Sequence, residues 1–174
     1  MSAARTRADR ELADIRPWLG SALVAAATCA ALLALTHLIQ PGSWLPVACL
    51  SVVLLAAVVG AVRVVTRSSW LPSLVGGLVA LAGLVMRYGA PPGGAQVLPT
   101  VAAAHRAWSL AGEGVTLIQA SLVPMPSGRS AEVLVVAGAV AVLLLVDALA
   151  LGAEVPALAA LPLSTLWVPA VVLG

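Results

Sequence analysis

Between Leu19 and Ile39 the chain runs through some twenty residues without a formal charge, and this feature decides which solvent the polypeptide is built for. At about 1.5 Å of helical rise per residue such a run reaches roughly 30 Å, the thickness of the hydrocarbon core of a bilayer. Similar runs follow at Leu45 to Val62, Trp70 to Met86, Val133 to Leu151 and Val155 to Leu173, the fourth interrupted only by Asp147 and the fifth carrying Pro156, Pro162 and Pro169. A soluble domain of this length would alternate apolar and polar residues at helical or strand period. Here only 9% of the 174 residues are charged and the mean hydropathy is +1.08, outside the globular range. The sequence therefore predicts an all-α, polytopic membrane bundle of about five transmembrane helices.

The boundaries follow from punctuation. Residues 1–18 form a mixed-charge tail, with Arg5, Arg7, Arg10 and Arg16 against Asp9, Glu11 and Asp14. Residues 19–88 hold helices one to three, separated by Gln40-Pro41-Gly42-Ser43 and by the stretch from Arg63 to Arg67. The first run is too long for the core of a cleavable leader, and no small-x-small site follows it, so it is expected to stay as a signal anchor. Gly89-Ala90-Pro91-Pro92-Gly93-Gly94 ends helical structure, because proline lacks a donor and glycine loses too much entropy. Residues 89–132 are then an extracytoplasmic loop, and residues 133–174 hold helices four and five. With no polar tail after Leu173, the sequence reads as part of a longer protein. Trp18, Trp44, Trp70 and Tyr88 stand at helix ends, where amphipathic rings favour the headgroup layer.

Within the loop, residues 100–122 have a different period. Val101, Ala104, Trp108, Ala111, Val115, Ile118 and Leu122 recur at three and four residues, opposite His105, Arg106, Ser109, Glu113, Thr116 and Gln119. The pattern is an amphipathic helix, N-capped by Thr100 and closed by Pro124-Met125-Pro126, fit to lie among headgroups or to pack over the bundle. Gly112 and Gly114 weaken its middle.

Arginine placement sets the orientation. The tail and the Arg63 to Arg67 turn together carry six arginines, whereas the other side carries Arg87, Arg106 and Arg129. The positive-inside rule puts the N-terminus in the cytoplasm and the amphipathic helix outside, in the cytoplasmic (cell) membrane. The absence of Lys, Phe and Asn beside abundant Ala, Val, Leu and Gly fits a GC-rich, actinobacteria-like genome.

Chemistry is sparse. Asp147 is a carboxylate within a spanning run, a placement that often marks an ion path. It lies close enough to Gly152 to reach the interface or to pair with Arg63 or Arg67. His37 and His105 lack partners at metal-ligand spacing, and Cys29 and Cys49 sit in apolar runs as small core residues or, alternatively, as a disulfide. No nucleophile, base and orienting acid can be assembled, no phosphate loop is present, and a net charge of +2 without an arginine–aromatic stripe gives no reason to expect nucleic acid. No catalytic residue, cofactor or metal is expected in this chain. The expected partners are the lipid bilayer and other membrane or cell-envelope proteins. Small residues four apart, Gly76 with Ala80 and Ser73 with Gly77, allow close helix approach but carry little specificity in so Ala- and Gly-rich a chain.

The second half carries an ordered set of features: Leu98-Pro99-Thr100, Pro124-Met125-Pro126, Asp147 late in the next span, Pro156-Ala157-Leu158-Ala159-Ala160-Leu161-Pro162-Leu163, and Val168-Pro169-Ala170. In that order it resembles the N-terminal membrane region of bacterial TgpA-type transglutaminase-like proteins. The first three helices match only in hydropathy and in Arg63 and Arg67, and Glu154 stands where the family has basic residues. The resemblance implies a multi-pass anchor preceding an extracytoplasmic domain with a Cys, His, Asp triad, of protein-glutamine gamma-glutamyltransferase or cysteine protease type. None of that triad maps onto this chain. The competing readings are a small permease or transporter subunit using Asp147 and His37, and a scaffold that recruits other membrane proteins.

Overall fold

The computed structural model describes residues 18–66, 68–91, 98–120, 124–153 and 155–168, and its regular elements there are all helical. Helix α1, Trp18–His37, tightens into a 3-10 helix over Leu33–His37. It is followed by α2 (Trp44–Val65), α3 (Leu71–Tyr88), α4 (Val101–Ala120) and α5 (Arg129–Asp147). A π-helical turn, Ala148–Gly152, prolongs α5, and a 3-10 turn, Pro156–Ala159, leads into the short α6 (Ala160–Thr165). Four helices are long and apolar enough to cross a membrane: Trp18–His37, Trp44–Val65, Leu71–Tyr88 and Arg129–Gly152.

The four spans run alternately up and down. The start of α1 meets the end of α5, since Gly20 faces Leu151 and Gly152 faces the Ser69 carbonyl. The end of α1 and the start of α5 meet at the opposite pole. There Met125 donates its N–H to Leu38 O at 2.8 Å and Gln40 donates to Met125 O at 2.9 Å, the one isolated bridge pairing among the described residues. The two poles are named below by their buried acids, the Asp147 end and the Glu132 end. Helix α5 is the axis of the bundle: Val133, Val136, Ala139, Val140, Val142, Leu143 and Val146 are all buried, so it is covered on most sides by the others.

The outward faces are apolar as well. Leu23, Leu50, Leu54, Leu74, Leu78 and Leu81 are all more than half exposed, a surface compatible with a lipid environment. Gly76 does bring α3 close to α2 and α5, where an added Cβ would stand 2.6 Å from Val59 and 2.9 Å from Leu144. The described part of the expected fifth span, 155–168, is a 3-10 turn and a short helix rather than one continuous helix, with Ala159 and Leu166 buried in the core. Proline at 162 removes a backbone donor there. The rest of that span, and Arg67, lie outside the described residues.

Helix α4 crosses the Glu132 end. Thr100 Oγ1 accepts the Ala103 N–H at 3.2 Å, which is N-cap geometry. Near its start, Arg106 Nε donates to Gly89 O at 2.7 Å at the end of α3. Farther along, Gly114 lies against the Ser130 carbonyl at the start of α5. Both contacts are at one pole, so α4 lies over the bundle and does not run through it. It packs through small residues. Ala103 and Gly114 are buried and Ala107 and Leu110 half-buried, whereas Val101, Trp108, Val115 and Ile118 are exposed, Trp108 at 81%. Small residues win the inward position because they let the backbones approach closely. The large apolar face is left outward.

A test of this packing uses two neighbouring glycines. Gly114→Leu places atoms where the Ser130 carbonyl stands and 2.8 Å from Leu134, and backbone cannot yield cheaply. Overpacking of this kind costs about 1–3 kcal/mol. Gly112→Ala meets nothing within 4 Å and gains about 0.5–1 kcal/mol of helix propensity. Limited proteolysis in detergent should cleave α4 faster in the first variant and no faster, or more slowly, in the second. Equal rates for both would show that α4 is not docked through Gly114.

Candidate functional site

Among the described residues the buried charged groups collect in two clusters, one at each end of α5. At the first, Asp147 receives a two-pronged ion pair from Arg63: Nη1 to Oδ1 at 2.9 Å and Nη2 to Oδ2 at 2.8 Å. Ser73 Oγ donates to Oδ2 at 3.2 Å, and Arg63 Nη1 also donates to Ser21 Oγ at 3.4 Å. Ser21 is on α1, Arg63 on α2, Ser73 on α3 and Asp147 on α5, so all four spans are joined through one ion pair, Ser73 bonding to its carboxylate and Ser21 to its guanidinium. The side chains of Arg63 and Asp147 are 15% and 4% exposed. A fork of this kind fixes direction as well as distance. The π turn begins at the residue after Asp147 and closes with Ala153 N–H on Ala148 O at 2.8 Å.

The second cluster centres on Glu132, whose side chain is 7% exposed. It accepts from Ser43 Oγ at 2.7 Å, Arg87 Nη2 at 2.9 Å and Tyr88 Oη at 3.0 Å. Ser43 precedes α2, where its hydroxyl could have capped the helix; it makes no cap bond and reaches across to α5 instead. The Arg87 guanidinium also lies 5.6 Å from the centre of the Tyr88 ring, within cation–π range. Arg129 Nη2 donates to the Arg87 carbonyl at 3.2 Å, so three arginines gather about the end of α3.

Of the residues singled out by sequence, Asp147 and Arg63 are together, while His37 is exposed at the end of α1, near the Glu132 pole and far from them. Trp108, Val115 and Ile118 share the outward face of α4. Trp18 and Trp70 are exposed at helix ends, but Trp44 and Tyr88 are each only 3% exposed and turn inward, Trp44 Nε1 donating to Gln40 O at 3.1 Å. Those two rings pack the bundle and do not float at the headgroups. The thiols of Cys29 and Cys49 are neighbours, both free and half-buried. No group of three His, Cys, Asp or Glu able to hold a metal occurs among the described residues.

Glu132 was not foreseen, because the run of apolar residues begins one position later and left it in the loop. The available signal was its place in the first turn of a helix beginning at Arg129, where a carboxylate is favoured by the helix dipole.

An all-helical bundle with four apolar spans, and with its buried charges paired at the ends, defines a multi-helix membrane domain. Residues 26–174 match the TgpA N-terminal domain, and the chain belongs to that family, the N-terminal region of transglutaminase-like proteins. No curated protein and no solved structure matches it.

Proposed function

We propose that this region is the multi-pass membrane anchor of a TgpA-type protein, holding an extracytoplasmic transglutaminase-like catalytic domain at the cytoplasmic membrane. The observation that carries this reading is that both buried carboxylates of α5 are saturated, Asp147 by Arg63 and Ser73 and Glu132 by Ser43, Arg87 and Tyr88. Groups bonded in this way tie helices together, the structural role an anchor needs. A permease reading would need Asp147 available, and nothing around it favours that.

The Asp147 end faces the cytoplasm in this proposal. By the positive-inside rule this follows from the arginine count, since Arg5, Arg7, Arg10 and Arg16 precede the first helix and Arg63 and Arg67 follow the second, against Arg87, Arg106 and Arg129 on the other side. Helix α4 then lies at the outer surface with Val101, Trp108 and Val115 against the lipid headgroup boundary, as an interfacial helix would. Other cell-envelope proteins are the expected neighbours on that side.

Reporter fusions test the arrangement. Alkaline phosphatase inserted at Ser69 should be inactive, and at Ser127 or after Gly174 it should be active. Activity at Ser69 would reverse the orientation, and inactivity after Gly174 with activity at Ser127 would remove the fifth crossing and with it the anchoring of an outer domain.

A further inference from the structure

A groove of about 220 Å³ runs between α2, α3 and α5 from the Glu132 end toward the middle of the membrane. It exceeds the ~150 Å³ apolar cavity that accommodates a benzene ring. Its floor is made by Val136 and Val140, which are buried, and its lips by Leu54 and Val79, which are exposed on the lipid-facing side. Along α3 it extends from Val79 to Arg87, about 12 Å of helix. Polarity is confined almost wholly to the upper end, where Arg87 and Tyr88 form the rim.

The charge at that rim is lopsided. Arg87 spends one nitrogen on Glu132 and its side chain remains 51% exposed. Arg129 sits on the Arg87 carbonyl and Arg106 on the Gly89 carbonyl. Three guanidinium groups therefore surround the end of α3, and of these only Arg87 is bonded to the Glu132 carboxylate, Arg129 and Arg106 donating to backbone carbonyls. An elongated apolar slot open to hydrocarbon, headed by surplus cationic donors at headgroup depth, matches one kind of molecule. We propose that the groove binds an anionic glycerophospholipid, with one acyl chain between α2 and α3 and the phosphodiester on Arg87 and Arg129. Arginine is suited to this because it offers several donors to phosphate oxygens at once, and basic pockets between membrane helices select anionic headgroups. The inference rests on these helices spanning the bilayer, and membrane fractionation of the same variants checks that separately.

Two variants probe the two halves of the ligand. Gly83 lines the groove and an added Cβ there meets nothing within 4 Å, so Gly83→Leu fills the slot without disturbing packing. Arg129→Gln removes headgroup charge without touching the Glu132 ion pair. The full chain, purified in detergent, is titrated with phosphatidylglycerol or phosphatidylcholine and bound lipid is counted by native mass spectrometry. The expected result is at least tenfold preference for phosphatidylglycerol, with phosphatidylglycerol binding reduced about tenfold by each variant and thermal midpoints unchanged. Equal binding of the two lipids, or phosphatidylglycerol binding that Gly83→Leu leaves intact, would overturn the proposal. A loss caused by Arg129→Gln alone counts against it too, because it would mean headgroup adsorption without an acyl-chain site.

Discussion

Asp147→Ala should destabilise the bundle by about 3–5 kcal/mol, the usual result of stripping one partner from a buried ion pair. Arg63 would be left with two donors aimed at nothing and with 15% of its side chain exposed to seek compensation. The loss is read as a lower thermal midpoint in detergent and lower accumulation in membranes. Arg63→Leu should cost a similar amount by orphaning the carboxylate. The paired replacement Arg63→Leu with Asp147→Leu should recover most of the loss, since hydrophobic substitution of a whole buried pair is often neutral or better. Should the double variant prove no more stable than either single one, the pair is not the element that joins the spans. A transport role would show otherwise, because there the double variant would fold and be inactive.

Glu132→Ala is the second large effect, about 2–3 kcal/mol, for the removed carboxylate is the common acceptor of three donors from two other segments. Tyr88 is buried, so its hydroxyl would be left without an acceptor, whereas Arg87 can turn toward solvent or headgroups. Glu132→Gln should cost less, since an amide oxygen can still accept from Tyr88 or Arg87. The contrast between the two variants, measured as thermal midpoint, separates lost hydrogen bonding from lost charge. If Ser43→Ala and Tyr88→Phe each lower stability in the Glu132 parent and neither does so in Glu132→Ala, the three bonds belong to one network.

Hydropathy made the four described spans readable because a run of apolar residues leaves few alternatives once water is excluded. The partnership of Asp147 with Arg63 was also within reach, since a carboxylate in hydrocarbon must find a cation and few cations lie at that depth. Glu132 was not, because a charged residue beside a span is ordinarily at the surface, and only the arrival of Ser43 and Tyr88 from other segments makes it interior. Helix α4 shows the limit differently. Its period is helical and its large apolar residues share one face, so the face was legible, but the sequence does not say which half of a broad apolar arc will meet protein. Gly114 reads as a weak point in isolation and becomes a close approach to α5 in the structure. Trp44 and Tyr88 misled for a related reason: an aromatic ring at a helix end suits a headgroup layer or a packed interior equally well.

The distribution of charge along the chain has a consequence for biosynthesis. Both acids belong to α5, and their basic partners lie 84 and 45 residues earlier, on α2 and α3. A ribosome therefore delivers the arginines to the membrane long before the carboxylates that neutralise them. Until α5 emerges, Arg63 and Arg87 stand at opposite ends of the first three helices without these carboxylates. Arrival of one later helix brings a carboxylate to each of these two arginines, so the order of synthesis makes α5 the locking bolt of the assembly.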